Sequence, residues 1–380
     1  MSTHHLAPST DGRLIQAAID QASAAGGGVV SLQPGIHMTG TLYLKSNVEL
    51  HLCSGAKLQG FDRPELYDDF TDPGFDAVSP EKSRKCLLAA KHAENIAVTG
   101  MGEINGAGPA FYDTNVPPGA FYAKPPHPRP RMVQFYNCKN VRFEGVSFVD
   151  SPGWTFWLLG CEDVYVSRIR VHGCQQMINN DGIDIDDCRR VTVSDCHITT
   201  GDDCIILRAI RRRPDHRALC EDVTVTNCVL NSRCQGIRIG CPSDDTIRNA
   251  TFSNIVIHGA GNGININNPI RYLRTGDTGF LHLSNLVFSN FTIDSGRVPL
   301  WINVEKTVQL RYIGSMTFSN FRIRAPQPIR LDGCPETPIE DITLSDVSIT
   351  TTSSVPLVAE HVSRLSLNRV ECTAIPADEA

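Results

Sequence analysis

Phe252-Ser253, Phe288-Ser289 and Phe318-Ser319 are three copies of one pattern: a short alternating strand, a small polar residue, then a second short apolar stretch. Upstream it recurs as Val164-Tyr165-Val166-Ser167, Val191-Thr192-Val193-Ser194 and Val223-Thr224-Val225-Thr226. Downstream it recurs as Leu344-Ser345 and Leu367-Asn368. From Ser167 onward the polar markers stand 27, 32, 27, 36, 30, 26 and 23 residues apart. Val141-Arg142-Phe143 and Ile96-Ala97-Val98 read as earlier copies. A variable repeat of this length, with short strands, predicts an all-β, right-handed parallel β-helix. Each repeat is one coil, and alternate residues point inward to stack on the same position of the next coil. A leucine-rich repeat would show a tighter period and an amphipathic helix in every unit, and no such helix recurs here.

Working outward, one helix is expected near the start, over residues 11–25. Asp11 or Thr10 caps it. Leu14, Ile15, Ala18, Ile19 and Ala22 follow helical spacing, and Gly26-Gly27-Gly28 ends it. Such a helix would cover the open core at the end of a solenoid. The first strands are expected at 29–32 and 48–52. No linker or low-complexity tract interrupts the chain, so one domain is expected over 1–380. The Pro-rich stretch 117–130 reads as a long loop forming one wall of a cleft.

The chain has 380 residues, 30 Gly, 23 Pro, 14 Cys and a formal net charge of −6. That mild acidity argues against nucleic acid as a partner, because phosphate binding needs a basic face. No apolar run reaches the ~18–20 residues that span a bilayer, so no membrane partner is expected. No Cys-x-x-Cys pair with metal spacing occurs. Cys188, Cys196, Cys204, Cys220 and Cys228 recur within the repeat and read as buried free thiols acting as small apolar fillers. The opening residues Met-Ser-Thr-His-His-Leu lack a basic n-region and an apolar h-region. A cytoplasmic location is therefore expected, or secretion if a leader has been removed.

The chemistry concentrates in the middle coils. Asn179-Asn180-Asp181-Gly182-Ile183-Asp184 is followed by Gly201-Asp202-Asp203-Cys204. Asp181 and Asp202 are 21 residues apart, about one short coil, which would bring Asp181, Asp202 and Asp203 onto adjacent rungs. Converging acids raise one another's pKa values, so one can stay protonated near neutral pH. Glycoside hydrolysis needs that division of labour. A lone Asp-Gly would read as a turn; two such motifs one coil apart do not.

These motifs resemble family 28 of the glycoside hydrolases, the polygalacturonase family. The likeness runs from the N-terminal helix to the last coils. The family's Asn-Thr-Asp-Gly-x-Asp reads here as Asn179 to Asp184, and its Gly-Asp-Asp-Cys stands intact as Gly201 to Cys204. Ser151-Pro152-Gly153-Trp154 is similar to bacterial members. The resemblance implies inversion, with Asp202 as general acid and Asp181 and Asp203 holding the attacking water. It implies neither metal nor organic cofactor.

Two family motifs are altered. Gly-His-Gly and its following strand read here as Cys234-Gln235-Gly236-Ile237-Arg238-Ile239-Gly240, with Gln235 for His and Arg238 for Ser. Asn-Gly-Ile-Arg-Ile-Lys reads as Asn262-Gly263-Ile264-Asn265-Ile266-Asn267, with Asn265 and Asn267 for the two cations that in the family hold a galacturonate carboxylate. Arg grips a carboxylate with a geometry Asn cannot copy. Replacement cations are sought in Arg238, Arg271, Arg274 and Arg211-Arg212-Arg213, the last otherwise reading as a solvated loop tip. Gln235 cannot titrate, and His172 and His197 lie on nearby coils. The expected substrate-binding set is Asn179, Gln235, Arg238, Asn265, Asn267 and Arg271. The leading expectation is an inverting hydrolase of a pectin-type or related plant oligo- or polysaccharide with an altered sugar pocket. The alternatives are a β-helix sugar-binding protein without catalysis and, third, a polysaccharide lyase or epimerase.

Overall fold

A computed structural model describes residues 2–70, 83–212, 215–273 and 278–374. The architecture is a right-handed parallel β-helix, and among the described residues the ladders traced below are parallel. The chain forms two compact units, one of residues 1–184 with 188–202, the other of 185–187 with 203–380.

In the first unit the helix Arg13–Ala24 buries Ile15, Ala18, Ile19 and Ala22. It begins later than the sequence suggests. Gly12, not Asp11 or Thr10, is the cap residue, while the Asp11 carboxylate accepts the Arg13 N–H at 3.1 Å. Leu14 is exposed, so the apolar stripe is narrower than its spacing implied. Gly26 and Gly27 follow with φ of 89° and 135°, a turn that side chains disfavour, before strand Gly28–Leu32. That strand pairs with Val48–Leu52 and also with Ser2–Leu6, a short polar strand without a hydrophobic signature. The register then repeats: Ile96 faces Val141, Val141 faces Val164, and Val164 faces Val191. A second ladder runs through Leu42–Tyr43, Cys86–Lys91, Arg131–Tyr136 and Phe156–Leu159.

The second unit stacks long strands, among them Leu219–Ser232, Thr246–Ala260, His282–Ser295 and Tyr312–Arg324. The polar markers meet in register: Thr226 with Ser253, Ser253 with Ser289, Ser289 with Ser319, Ser319 with Ser345, Ser345 with Asn368. The repeat is thus one marker per coil whatever the loop length. Inside, the rings of Phe252, Phe288 and Phe318 stack at 4.9 and 4.7 Å. After each marker the chain turns a corner. Asn227, Asn254, Asn290 and Asn320 take φ of 54–59° there, a region Asn tolerates better than most residues. Their amides hydrogen-bond in line: Asn320 Nδ2 donates to Asn290 Oδ1, Asn290 to Asn254, and Asn254 to Asn227, at 2.8–3.1 Å.

All 14 cysteines are free thiols, and the five singled out from the repeat are buried. Among the described residues no helix is long and apolar enough to cross a membrane.

Candidate active site

The motif Asn179-Asn180-Asp181 of the first unit precedes strand Ile183–Asp186, whose Ile183 and Ile185 are fully buried. Asp184 and Asp186 alternate with these isoleucines and are fully buried as well. Asp181 is buried, and its carbonyl accepts the Thr155 N–H at 2.8 Å, which ties the motif to the preceding coil. Asn180 links the two acidic motifs. Its Oδ1 accepts the N–H groups of Gly201 at 2.8 Å and Asp202 at 3.1 Å, and its Nδ2 donates to the Cys174 carbonyl at 2.9 Å. In Asn180 the accepting oxygen and the donating nitrogen are separate atoms, so one side chain serves all three partners. The Asp202 carboxylate is half-buried and accepts the Asn179 N–H at 3.1 Å.

The Pro-rich loop packs against this segment. Tyr122 donates its N–H to the Gln176 carbonyl at 2.8 Å, and Gln176 Nε2 donates to the Ala120 carbonyl at 3.0 Å. The loop delivers Arg129, buried to 1% exposure, which donates to the carbonyls of Pro152 and Ile178, the Tyr112 hydroxyl and Asn179 Oδ1.

In the second unit Asp203 is buried, and its Oδ2 lies 3.5 Å from Arg238 Nη1. Arg238 also donates to Cys241 Sγ at 3.0 Å. Burial pushes the Cys241 thiol pKa up, opposed by the guanidinium groups of Arg238 and Arg208. Arg238 is in register with Ile206 on one side and Asn265 on the other, and Asn265 with Trp301. Asn265 and Asn267 are buried, and the Oδ1 atom of each has no hydrogen-bond partner among the described residues. Gln235 is committed to the framework: its Oε1 accepts Asn262 Nδ2 at 2.8 Å. Arg271 sits exposed on the short 3-10 turn Ile270–Tyr272, its guanidinium 4.7 Å from the Tyr272 ring centre. Arg274 and Arg213 lie outside the described residues.

Arg211 and Arg212 are not a solvated tip. Arg211 pairs with buried Asp245 at 2.8 Å, and Arg212 with buried Asp187 at 3.0 Å, beside His216. The acids that claim them lie 25–34 residues away in sequence, which a local reading does not see. His172 and His197 are exposed on strands Arg170–His172 and His197–Thr200. Arg129 and Asn180 carry no signal of their role in the sequence, and neither does Arg208, whose charge acts on Cys241. Trp301, which stands in register with Asn265, was within reach: it follows Asn265 by 36 residues, the interval that separates Ser253 from Ser289.

Residues 74–363 match the family model of glycosyl hydrolases family 28. The chain belongs to that family. Polygalacturonase-2 of Solanum lycopersicum is 23% identical over 321 residues, covering 80% of this chain and 66% of that protein. The chain spans about half to two thirds of the length of the curated relatives it matches. An exopolygalacturonase from Thermotoga maritima superposes with a TM-score of 0.76 at 21% identity, covering 97% of this chain and 92% of that one. A polygalacturonase from Erwinia carotovora gives 0.73 at 18% identity, covering 95% of each chain. At these identities the family 28 structures speak for the fold.

Proposed function

We propose that this family 28 chain is an inverting glycoside hydrolase acting on a pectin-type or related plant oligosaccharide. Asp202 protonates the leaving glycosidic oxygen. Asp181 and Asp203 take the proton of a water that attacks the anomeric carbon from the opposite face, so the configuration inverts. The observation that carries this reading is the Asn180 amide, which locks the turn holding Asp202 onto the motif holding Asp181. A fixed pair of acidic motifs is what proton transfer in both directions requires. The names of the relatives point to pectin.

The sugar pocket is the part that differs. Two buried amide oxygens, on Asn265 and Asn267, stand where the family has cations, and they suit hydroxyl donors rather than a carboxylate. Arg238 is engaged with Asp203 and Cys241. The proposed substrate therefore presents neutral hydroxyls to this part of the site.

The test is a screen of oligogalacturonides and neutral pectic oligosaccharides against wild type and Asp202→Asn, with the first-formed anomer read by proton NMR. Inverted product lost in Asp202→Asn, with neutral oligosaccharides preferred, is the expected result. An unsaturated product would make the protein a lyase. Binding without turnover would leave a sugar-binding protein. A large preference for oligogalacturonides would overturn the neutral pocket.

A further inference from the structure

Arg129 is a guanidinium at 1% exposure whose hydrogen bonds all go to neutral oxygens. The Tyr112 ring, 5.2 Å from its centre, adds a cation–π contact, and no carboxylate pairs with it among the described residues. Burying a cation without a counter-ion costs several kcal/mol even after relaxation. The fold carries that cost at the shoulder of the first acidic motif.

Its partners suggest what the cost secures. Two of them, the Ile178 carbonyl at 2.9 Å and Asn179 Oδ1 at 3.1 Å, belong to consecutive residues leading into Asp181. Asn179 has a φ of 57°. Asn tolerates this left-handed region better than most residues, so holding it there asks little of its partners. From this conformation the Asn179 N–H points at Asp202 Oδ2, 3.1 Å away. We propose that Arg129 is a positioning residue for Asp202, acting through Asn179. The guanidinium grips the Asn179 side chain, the left-handed backbone is held, and the N–H fixes one carboxyl oxygen and thereby the plane of the group. Tyr112 completes the clamp: its hydroxyl lies 2.7 Å from the Ile178 carbonyl and 2.9 Å from the Pro152 carbonyl, and its one proton serves one of them. The Pro-rich loop thus reaches the acid by two hydrogen bonds in series.

This inference rests on the reading of Asp202 as the general acid, so the test carries one readout that needs turnover and one that does not. Compare wild type with Arg129→Lys, Arg129→Met, Asn179→Gly and the Arg129→Met/Asn179→Gly double variant. Misaligning the acid should lower kcat by about tenfold or more in Arg129→Met, with KM within about twofold. Arg129→Lys should fall between that variant and wild type. Glycine takes positive φ without help, so the double variant should be no slower than Asn179→Gly alone. Independently, in protein labelled with ¹⁵N-asparagine, the Asn179 amide proton should move upfield in Arg129→Met, in the same direction as in an Asp202→Ala control. Additive losses in the double variant, or an unmoved Asn179 amide in folded Arg129→Met, overturn the proposal. If Arg129→Met does not fold, Arg129→Lys supplies the same amide reading. If wild type turns over no sugar, the hydrolase reading fails, and the amide shift still decides the role of Arg129.

Discussion

Arg238 Nη1 lies 3.5 Å from Asp203 Oδ2, and both side chains are almost wholly withdrawn from solvent. The residue that the sequence offers as a replacement carboxylate clamp already faces a carboxylate of the protein. Breaking a buried pair by removing one partner costs ~3–5 kcal/mol, because the other charge stays behind. Arg238→Met should therefore lose about 3 kcal/mol in denaturant unfolding. Asp203→Asn in the same background should recover most of it, which a double-mutant cycle reads directly.

Restoring cations to the pocket should shift preference toward uronates. Asn267→Lys, at the less buried of the two positions, adds a charge-assisted hydrogen bond worth ~1.5–3 kcal/mol. The ratio of kcat/KM on oligogalacturonides to that on neutral oligosaccharides should rise by about tenfold or more. An unchanged ratio would place the carboxylate-bearing sugar elsewhere in the site.

The aromatic stack offers a direct test of the second unit's packing. Phe288 is fully buried between Phe252 and Phe318. Phe288→Ala should cost ~3–5 kcal/mol, combining lost burial with the cavity left behind. Equilibrium unfolding at 25 °C measures it; a loss below about 1 kcal/mol would mean that the neighbouring rings close the gap.

Asp150 supplies a pH-dependent test. Its carboxyl pKa is held above the usual value, chiefly by burial, against the opposing pull of the Cys174 N–H. A carboxyl raised in this way binds more protons folded than unfolded. Its contribution to stability is favourable below the unfolded pKa and is lost as pH rises through the folded one. Asp150→Asn keeps the acceptor for Cys174 and suits the φ of 48°. It should raise Tm by ~1 °C at pH 7, and the gain should vanish as pH falls toward 4.

The coils were legible because one chemical regularity, an apolar pair followed by a small polar residue, survives changes of loop length. Ser253, Ser289 and Ser319 meet where the spacing puts them. The acidic motifs stood out for a different reason, as two Asp-rich turns about one coil apart, and Asn180 ties those turns together. The partners were not. Arg129 reaches Asn179 across 50 residues, and Asp187 claims Arg212 and His216 across 25 and 29. Such pairings depend on where a loop folds back, and no period encodes that. Ser2–Leu6 was invisible because a strand paired along an edge needs backbone groups rather than an apolar face. Leu14 misled because helical spacing marks a stripe without fixing its width.

The asparagine ladder has a direction. Every amide from Asn320 to Asn254 gives its proton toward the N-terminal side and receives one, if at all, from the C-terminal side. The side-chain dipoles point the same way and polarise one another, as in any chain of aligned donors and acceptors. Position along the line then matters more than residue type. An interior asparagine such as Asn290 closes two links, and Asn320 at the head closes one. The same Asn→Ala exchange should therefore loosen the middle of this stretch more than its end, giving the solenoid a mechanical grain.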